Sequence, residues 1–505
     1  MNRSKRAAIN VAASIIQQLI VVVCGLITPR LILQSFGSTY NGVISSITQL
    51  LSMVSFLTLG FAGAVRAELY RSLANKDRND VSRIMKAATQ YMHKVGGAVV
   101  IYAVVLMFIY PLISHNELSA AECALLICFI AVDTFSLYYF GSANYALLVA
   151  DQRGYIQSLI ASAITILNTV VIAIIIHIGG NIFIVKAVSA VIYAMTPAGI
   201  AVYVRKHYNL DLNCEPRKDA LKRQNDAAIH SVANIIHDNT DTLILTLFLD
   251  AKVLSVYAVY YAVVGKIKTF ITQAGVGIEA AFGDMWAKRE IDNLRARFRI
   301  YEFLISVFTT IIFSCVGVLI VSFVKLYTIN VTDINYDRPV FAILIMAAEA
   351  AFCIRHPYRS LVHATGMFKE TKNAAIIEAV LNLVTSVILV WRIGLNGVVI
   401  GTLIANLYRT FSYARFVSSH ILSRKFVSAL LRIVWTGISI TLTILAMSPI
   451  VNMIPLQGWM GWILCGIISV FFSSIMSIIL SLLFYRDDLL AGVSFLKRII
   501  ARKAH

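Results

Sequence analysis

Long apolar runs follow one another along almost the whole of this chain, and they constrain its fold more than any other feature. From residue 7 to residue 485, mainly aliphatic stretches are separated only by short polar breaks. About 20 residues of helix cross the ~30 Å hydrocarbon core of a bilayer, where only helices and closed barrels satisfy their own backbone groups. The runs are too long, and too continuously apolar, for the roughly ten-residue alternating strands of an outer-membrane-type barrel. Of the 505 residues, 59% are hydrophobic and 14% charged, against about a quarter charged in soluble domains. No room remains for a large soluble domain.

The runs predict fourteen helices, at 7–33, 41–64, 92–113, 120–147, 156–178, 182–204, 227–249, 254–283, 300–326, 339–364, 374–391, 397–418, 427–450 and 459–485. With the N-terminus in the cytoplasm, the connections at 65–91, 148–155, 205–226, 284–299, 365–373 and 419–426, and the tail from 486, are cytoplasmic. These and the first six residues carry most of the 44 Lys and Arg. The opposite loops hold few, such as Arg30, Lys252, Arg338 and Arg392. That asymmetry is the positive-inside pattern and predicts both termini in the cytoplasm. Asn2-Arg3-Ser4-Lys5-Arg6 precedes a run too long for a signal-peptide core, so it reads as the start of helix 1. The charged, amphipathic stretches around Arg66–Arg71 and Trp286–Glu290 are expected to form interfacial helices.

The chain also repeats itself. Ala7-Ala8-Ile9-Asn10 returns as Ala227-Ala228-Ile229-His230 at an offset of 220 residues. Leu167-Asn168 returns as Leu381-Asn382, Ile178-Gly179-Gly180-Asn181 as Ile393-Gly394-Leu395-Asn396, and Tyr193 as Tyr408. The offset drifts only to 215, and this shared register makes the matches meaningful. Each unit holds six helices, an even number, so both halves enter from one side as parallel repeats. The expected architecture is an all-α polytopic protein with two six-helix lobes (1–204 and 227–419) around a central cavity. A cytoplasmic linker (205–226) joins the lobes, and a helix pair with a basic tail follows (420–505). Such a scaffold suits rocking of the halves better than a simple pore.

Charged and polar groups at membrane depth are costly and generally face a cavity or a partner. In helix 7, His230, Asn234, His237, Asp238 and Asp241 fall within an arc of about 100° on one face. The equivalent positions of helix 1 include Asn10, Ser14, Gln17 and Gln18, so a polar stripe recurs. Helix 10 carries Arg355, His356, Arg359 and His363 around Pro357. Arg355 is the deepest of the cations there, while His363 reaches the surface. Lys266 and Lys268 in helix 8 point about 200° apart, so either one of them pairs with a carboxylate or Gly265 loosens the helix locally. Asp133, Glu279, Glu349, Glu378 and Arg409 are further isolated charges, each with an interhelical salt bridge as its structural alternative. Buried cations exceed buried anions in the second half, which points to a cavity that attracts an anion.

The net charge of +18 lies in membrane-flanking loops and does not imply nucleic-acid binding. Seven scattered cysteines, all but Cys214 in apolar runs, suggest neither a metal site nor a disulfide framework. There is no P-loop, H-E-x-x-H motif or nucleophile elbow. The expectation is therefore a non-enzyme without a cofactor, driven by an ion gradient, the membrane potential or the substrate gradient.

Three segments resemble the polysaccharide-transporter family, the Wzx-type O-antigen and capsule oligosaccharide flippases of the multidrug/oligosaccharidyl-lipid/polysaccharide exporter superfamily. They are Ile27-Thr28-Pro29-Arg30-Leu31 with Gly37 and Tyr40-Asn41-Gly42, Asp238-Asn239-Thr240-Asp241-Thr242 with Leu254-Ser255-Val256-Tyr257, and the charged segment after Gly60. Ser255 stands where the family usually has Gly. The resemblance implies a bacterial inner-membrane flippase that moves a polyprenyl-pyrophosphate-linked oligosaccharide from the inner to the outer leaflet by alternating access. In that reading Lys266, Arg355 and Arg359 pair with the pyrophosphate. Asn10, Ser14, Gln17, Gln18, His230, Asn234 and His237 contact sugars, and Asp241 or Asp133 binds a coupling H+ or Na+. Membrane lipid, a glycan polymerase and glycosyltransferases are the implied partners. A cation-coupled multidrug exporter of the same superfamily and a non-transporting scaffold of a cell-wall assembly complex remain the alternatives.

Overall fold

The computed structural model describes residues 3–115, 117–211, 213–217, 219, 225–453 and 458–503, and among them the chain is almost wholly helical. It divides into two compact units, Met1–Ala258 with Asn330–Ile334, and Val259–Ile329 with Asn335–His505. Helix α8 (Asn225–Phe248), the repeat partner of helix 1, counts with the first unit.

The first helix, α1 (Arg3–Ser52), has 50 residues. At 1.5 Å per residue that is about 75 Å, more than twice the hydrocarbon core. Gly37 interrupts it with φ 85° and ψ 177°, a left-handed φ open to glycine. The hydrogen bonds show that the chain reverses there. Before Gly37, α1 runs parallel to α6 (Gly154–His177): Asn10 binds the backbone of Gln152 and Tyr155, and Thr28 meets Thr169 at 3.3 Å. After Gly37 it runs antiparallel to α3 (Arg78–Ile113), whose Tyr91 and Tyr102 donate to the carbonyls of Leu57 and Leu50. Asp333 receives Ser38 N at 2.7 Å and Ser38 Oγ at 2.6 Å, capping the second segment, and this ties Asn330–Ile334 to unit 1. The predicted helices 1 and 2 are thus two spans within one assigned helix.

Between them and α6 lie α2 (Phe61–Ala74), α3, α4 (Ala120–Ser136) and α5 (Ser142–Ala150), with a π-helical turn at Leu137–Gly141; α7 (Ile182–His207) follows. The α2 helix buries Phe61, Val65, Leu69 and Ser72, one helical face. In the connection after α7, Arg217 reaches Glu68 of α2 at 3.0 Å and Asp80 of α3 at 2.9 Å. The α8 helix lies along the second segment of α1 through a polar seam of Ser46–Thr246 and Ser52–Asn239 pairs, and Asn41 of that segment donates to Ser255 of α9 (Ala251–Ala274). Ser255 is therefore a hydrogen-bond partner of Asn41, while close approach is supplied by Gly42, whose Cβ would lie 1.8 Å from Ala251 O.

Unit 2 holds α9 (Ala251–Ala274) from Val259 onward, α10 (Val276–Ala287), α11 (Ile291–Tyr327), α12 (Pro339–Thr365), α13 (Phe368–Ile393) and α14 (Leu395–Phe416). The α12 helix continues through Pro357. Then come a π-helical turn at Val417–Ile421, α15 (Phe426–Asn452), α16 (Gly458–Phe484) and α17 (Arg486–Lys503). Ser469, Ser473, Ser477 and Ser481 form a buried stripe of small residues on α16; Ser473 meets Cys315 of α11 at 3.3 Å. Asp488 of α17 pairs with Arg432 of α15 and with Arg299 of α11.

Among the described residues eleven helices are long and apolar enough to cross a membrane. The first of these contains both spans of α1. Beyond the eleven, α8 and α14 are 24 and 22 residues long but carry polar stripes. The fourteen expected crossings are all present as helices. Three are clearly longer than expected: α3 starts at Arg78 rather than 92, α11 at Ile291 rather than 300, and α13 at Phe368 rather than 374. Their amphipathic first turns extend beyond the apolar run, α3 being capped by Asp77, which accepts from Asp80 N.

Candidate functional site

In unit 1 the helix 1 stripe separates into two roles. Asn10 is used at both amide atoms by the turn before α6. Ser14 is exposed, and Gln17 and Gln18 are half-buried. On α8, Asn234 is half-buried, whereas His237 and Asp241 are buried and Asp241 accepts from Tyr257 at 3.2 Å. Asp238 faces outward. The side chain of His230 lies outside the described residues.

A polar group that the sequence reading only partly anticipated lies elsewhere in unit 1. Asp133 of α4 is exposed although it belongs to a membrane span. Tyr193 of α7 stands beside both Asp133 and Asn168 of α6. Asn168 is fully buried; no hydrogen bond of ordinary geometry reaches either amide atom among the described residues, and the Tyr193 hydroxyl lies beside it. Unmet amides in an apolar interior cost about 1–3 kcal/mol and generally mark a place for water, an ion or a ligand. Lys186, two turns before Tyr193 on the same face of α7, is half-buried. It was overlooked because it lies only a turn inside its predicted helix, where snorkelling is the ordinary reading.

Unit 2 concentrates its charge in α12 and its neighbours. Arg355 is buried and donates to Glu378 Oε1 of α13, and Arg409 Nε of α14 lies 3.6 Å from the other carboxylate oxygen. Arg409 also reaches Tyr413 Oη at 2.7 Å and Thr371 O at 3.2 Å. Lys268 is 3.7 Å from Glu349, which answers which of the two helix 8 lysines pairs with a carboxylate. Phe352 joins the two pairs, with Lys268 4.0 Å and Arg355 4.3 Å from its ring centroid. Three cations therefore share two carboxylates. Lys266 is half-buried and forms no ion pair among the described residues.

One turn further along α12, Ser360 donates to Glu279 of α10 at 2.9 Å, and Arg359, half-buried, lies near the same carboxylate. His356 is 3% exposed with both ring nitrogens unpartnered among the described residues, as is the hydroxyl of buried Tyr301. Both point at Gly275, between α9 and α10. A Cβ there would lie 2.2 Å from His356 Nε2 and 2.6 Å from Tyr301 Oη, so only glycine fits. The structure thus brings Arg355 together with Lys268, Glu378 and Arg409, and places Arg359 beside Glu279. Asp241 and Asp133 occupy separate surroundings in unit 1, one buried against Tyr257 and one exposed beside Tyr193.

No sequence-family model matches the chain, and no curated protein sequence does. Solved structures do. The lipid II flippase MurJ in an inward closed conformation superposes with a TM-score of 0.69 at 14% identity, over 95% of this chain and 99% of that one. An inward-facing multidrug resistance MATE family transporter of the MOP superfamily gives 0.58 at 14% identity, over 83% and 95%. A MOP superfamily transporter from Pyrococcus furiosus, described as having a binding pocket of reverse polarity and a different function, gives 0.54 at 12% identity, over 86% and 97%. Likeness at such identities is likeness of fold. This chain is a polytopic, all-helical membrane protein with the fold of the MOP superfamily.

Proposed function

We propose that this protein is a flippase that moves a polyprenyl-pyrophosphate-linked oligosaccharide from the inner to the outer leaflet of the bacterial cytoplasmic membrane. The observation that carries the reading is the surplus of cations in unit 2. Among the described residues the five cations Arg355, Arg409, Lys268, Lys266 and Arg359 outnumber the three carboxylates beside them, Glu378, Glu349 and Glu279. A positively charged interior offers a pyrophosphate the charge-assisted, partly bidentate contacts that guanidinium groups provide. The fold it shares with a lipid II flippase supports a lipid-linked cargo. In this reading the lobes 1–204 and 227–419 rock about the substrate with both termini in the cytoplasm. Lys266 and Arg359 meet the pyrophosphate first, and Arg355 does so as its hold on Glu378 is exchanged. Gln17, Gln18, Ser14, Asn234 and His237 take sugar hydroxyls, and Asp133 or Asp241 holds the coupling cation.

The test is reconstitution into vesicles with a fluorescent lipid-linked oligosaccharide, comparing the wild type with Lys266→Ala and Arg355→Ala. Loss of one ionic contact in a desolvated site is expected to slow flipping by about tenfold or more at unchanged insertion. Full activity in both variants overturns the cationic headgroup site.

One observation favours a second reading. Asp133, exposed beside Tyr193 and within the polar group that includes buried Asn168, is the acid that a cation-coupled multidrug exporter would use. That reading requires efflux of cationic dyes abolished by Asp133→Asn, with no movement of the lipid-linked oligosaccharide.

A further inference from the structure

At the end of α14 the chain forms an open groove of about 620 Å³ against the start of α15. Its wall changes character along the helix. Tyr408 and Phe411 line one end and Arg415, Ser419 and His420 the other, while Phe426 and Leu430 of α15 form the facing wall. The twelve helical steps from 408 to 420 span about 18 Å, the depth from a lipid headgroup into its chains. The polar end leads into the connection 419–426, one of the basic connections that the charge asymmetry assigns to the cytoplasm. Arg415 and His420 therefore stand at headgroup level and the aromatic rings beneath them.

The cationic end is built rather than incidental. None of the lining residues is acidic, so Arg415 has no carboxylate to neutralise it in the groove. The π-helical turn Val417–Ile421 buries Val417, Ser418 and Ile421 and leaves Ser419 and His420 exposed on the groove side. The His420 ring stacks on Phe416 at 4.7 Å, and its Nδ1 lies 2.7 Å from Ser419 Oγ. These contacts fix the ring and leave Nε2 as the nitrogen available to a ligand. Lys425, exposed at the N-cap of α15, adds positive charge a few residues on.

We propose that this groove binds an anionic phospholipid of the cytoplasmic leaflet, with its phosphate between Arg415 and His420 and its acyl chains over Tyr408, Phe411 and Leu430. Guanidinium and imidazole donors converge on the phosphate, and the aromatic floor accepts the chains. A zwitterionic lipid fits the floor equally well but brings its own cation to the unneutralised end. The inference does not depend on which cargo the protein moves.

The test uses the full-length protein in detergent, offered equal amounts of phosphatidylglycerol and phosphatidylcholine of the same chain length, with bound lipid counted by native mass spectrometry. Wild type is expected to prefer phosphatidylglycerol, and each cation removed to cut its retention about fivefold, the factor one charge near an anionic headgroup carries. Arg415→Ala with His420→Ala therefore reduces phosphatidylglycerol to the level of phosphatidylcholine at an unchanged unfolding temperature. Arg415→Glu, on a side chain that packs against nothing charged, is expected to remove the preference alone. Phe411→Ala lowers retention of both lipids. Equal retention of the two lipids by wild type overturns the proposal, as does undiminished phosphatidylglycerol in the charge variants. A third arm offers undecaprenyl phosphate at equal concentration; if it displaces phosphatidylglycerol outright, the groove belongs to a polyprenyl chain and the phospholipid assignment falls.

Discussion

Glu378 is 3% exposed, and each of its two carboxylate oxygens faces a different guanidinium, Arg355 from α12 and Arg409 from α14. Buried ion pairs add little net stability over apolar residues of similar volume, but removing one member strands a charge at a cost of about 3–5 kcal/mol. Glu378→Gln should therefore lower the thermal unfolding temperature sharply in detergent. Replacing all three members together by apolar residues should recover most of the loss. If Glu378→Gln unfolds like wild type, the cluster does not hold these helices. At this scale the sequence yielded the charges but not their pairings. Arg355 and Glu378 are 23 residues apart, and Arg409 lies on a third helix, so no local spacing relates them. The two lysines of helix 8 were separable only as pointing different ways; packing against Phe352 decided that Lys268 is the paired one.

The break between α9 and α10 shows how one helix depends on a position without a side chain. Gly275 lets the backbone rest on His356 and Tyr301, and Gly275→Ala drives a methyl into both. Overpacking of this kind costs about 1–3 kcal/mol. The unfolding temperature of Gly275→Ala should fall, and His356→Ala in the same chain should relieve part of the loss, giving a measurable coupling between the two sites. Additive effects would mean that the neighbours move aside freely. Helices were the most legible feature of the sequence, because hydropathy marks a span wherever it is long and apolar. What stayed hidden was shape within spans. The π-turns at Leu137–Gly141 and Val417–Ile421 carry no compositional mark, and the reversal at Gly37 involves a single residue inside fifty assigned helical ones. The long first turns of α3 and α11 were missed because charge ends an apolar run without ending a helix.

At the scale of the whole molecule, the repeat read from scattered matches meets the structure most clearly at two asparagines. Asn168 and Asn382 are equivalent by the repeat, and both are fully buried. Asn382 is satisfied, its carbonyl accepting from Ser386 and Thr402. Asn168 forms no hydrogen bond of ordinary geometry among the described residues and has the Tyr193 hydroxyl beside it. Of these two aligned positions, the one in α13 joins two helices, whereas the one in α6 makes no such bonds. A buried amide that no protein group answers is answered by water, and water beside a backbone lets its protons be traded. The middle of α6 should therefore take up deuterium faster than the matching turns of α13, read by exchange mass spectrometry on the intact protein in lipid. Equal protection of the two would mean that Asn168 stays dry. If α6 exchanges first, solvent reaches the interior of unit 1, and a proton or hydrated ion has a route along it to Asp133.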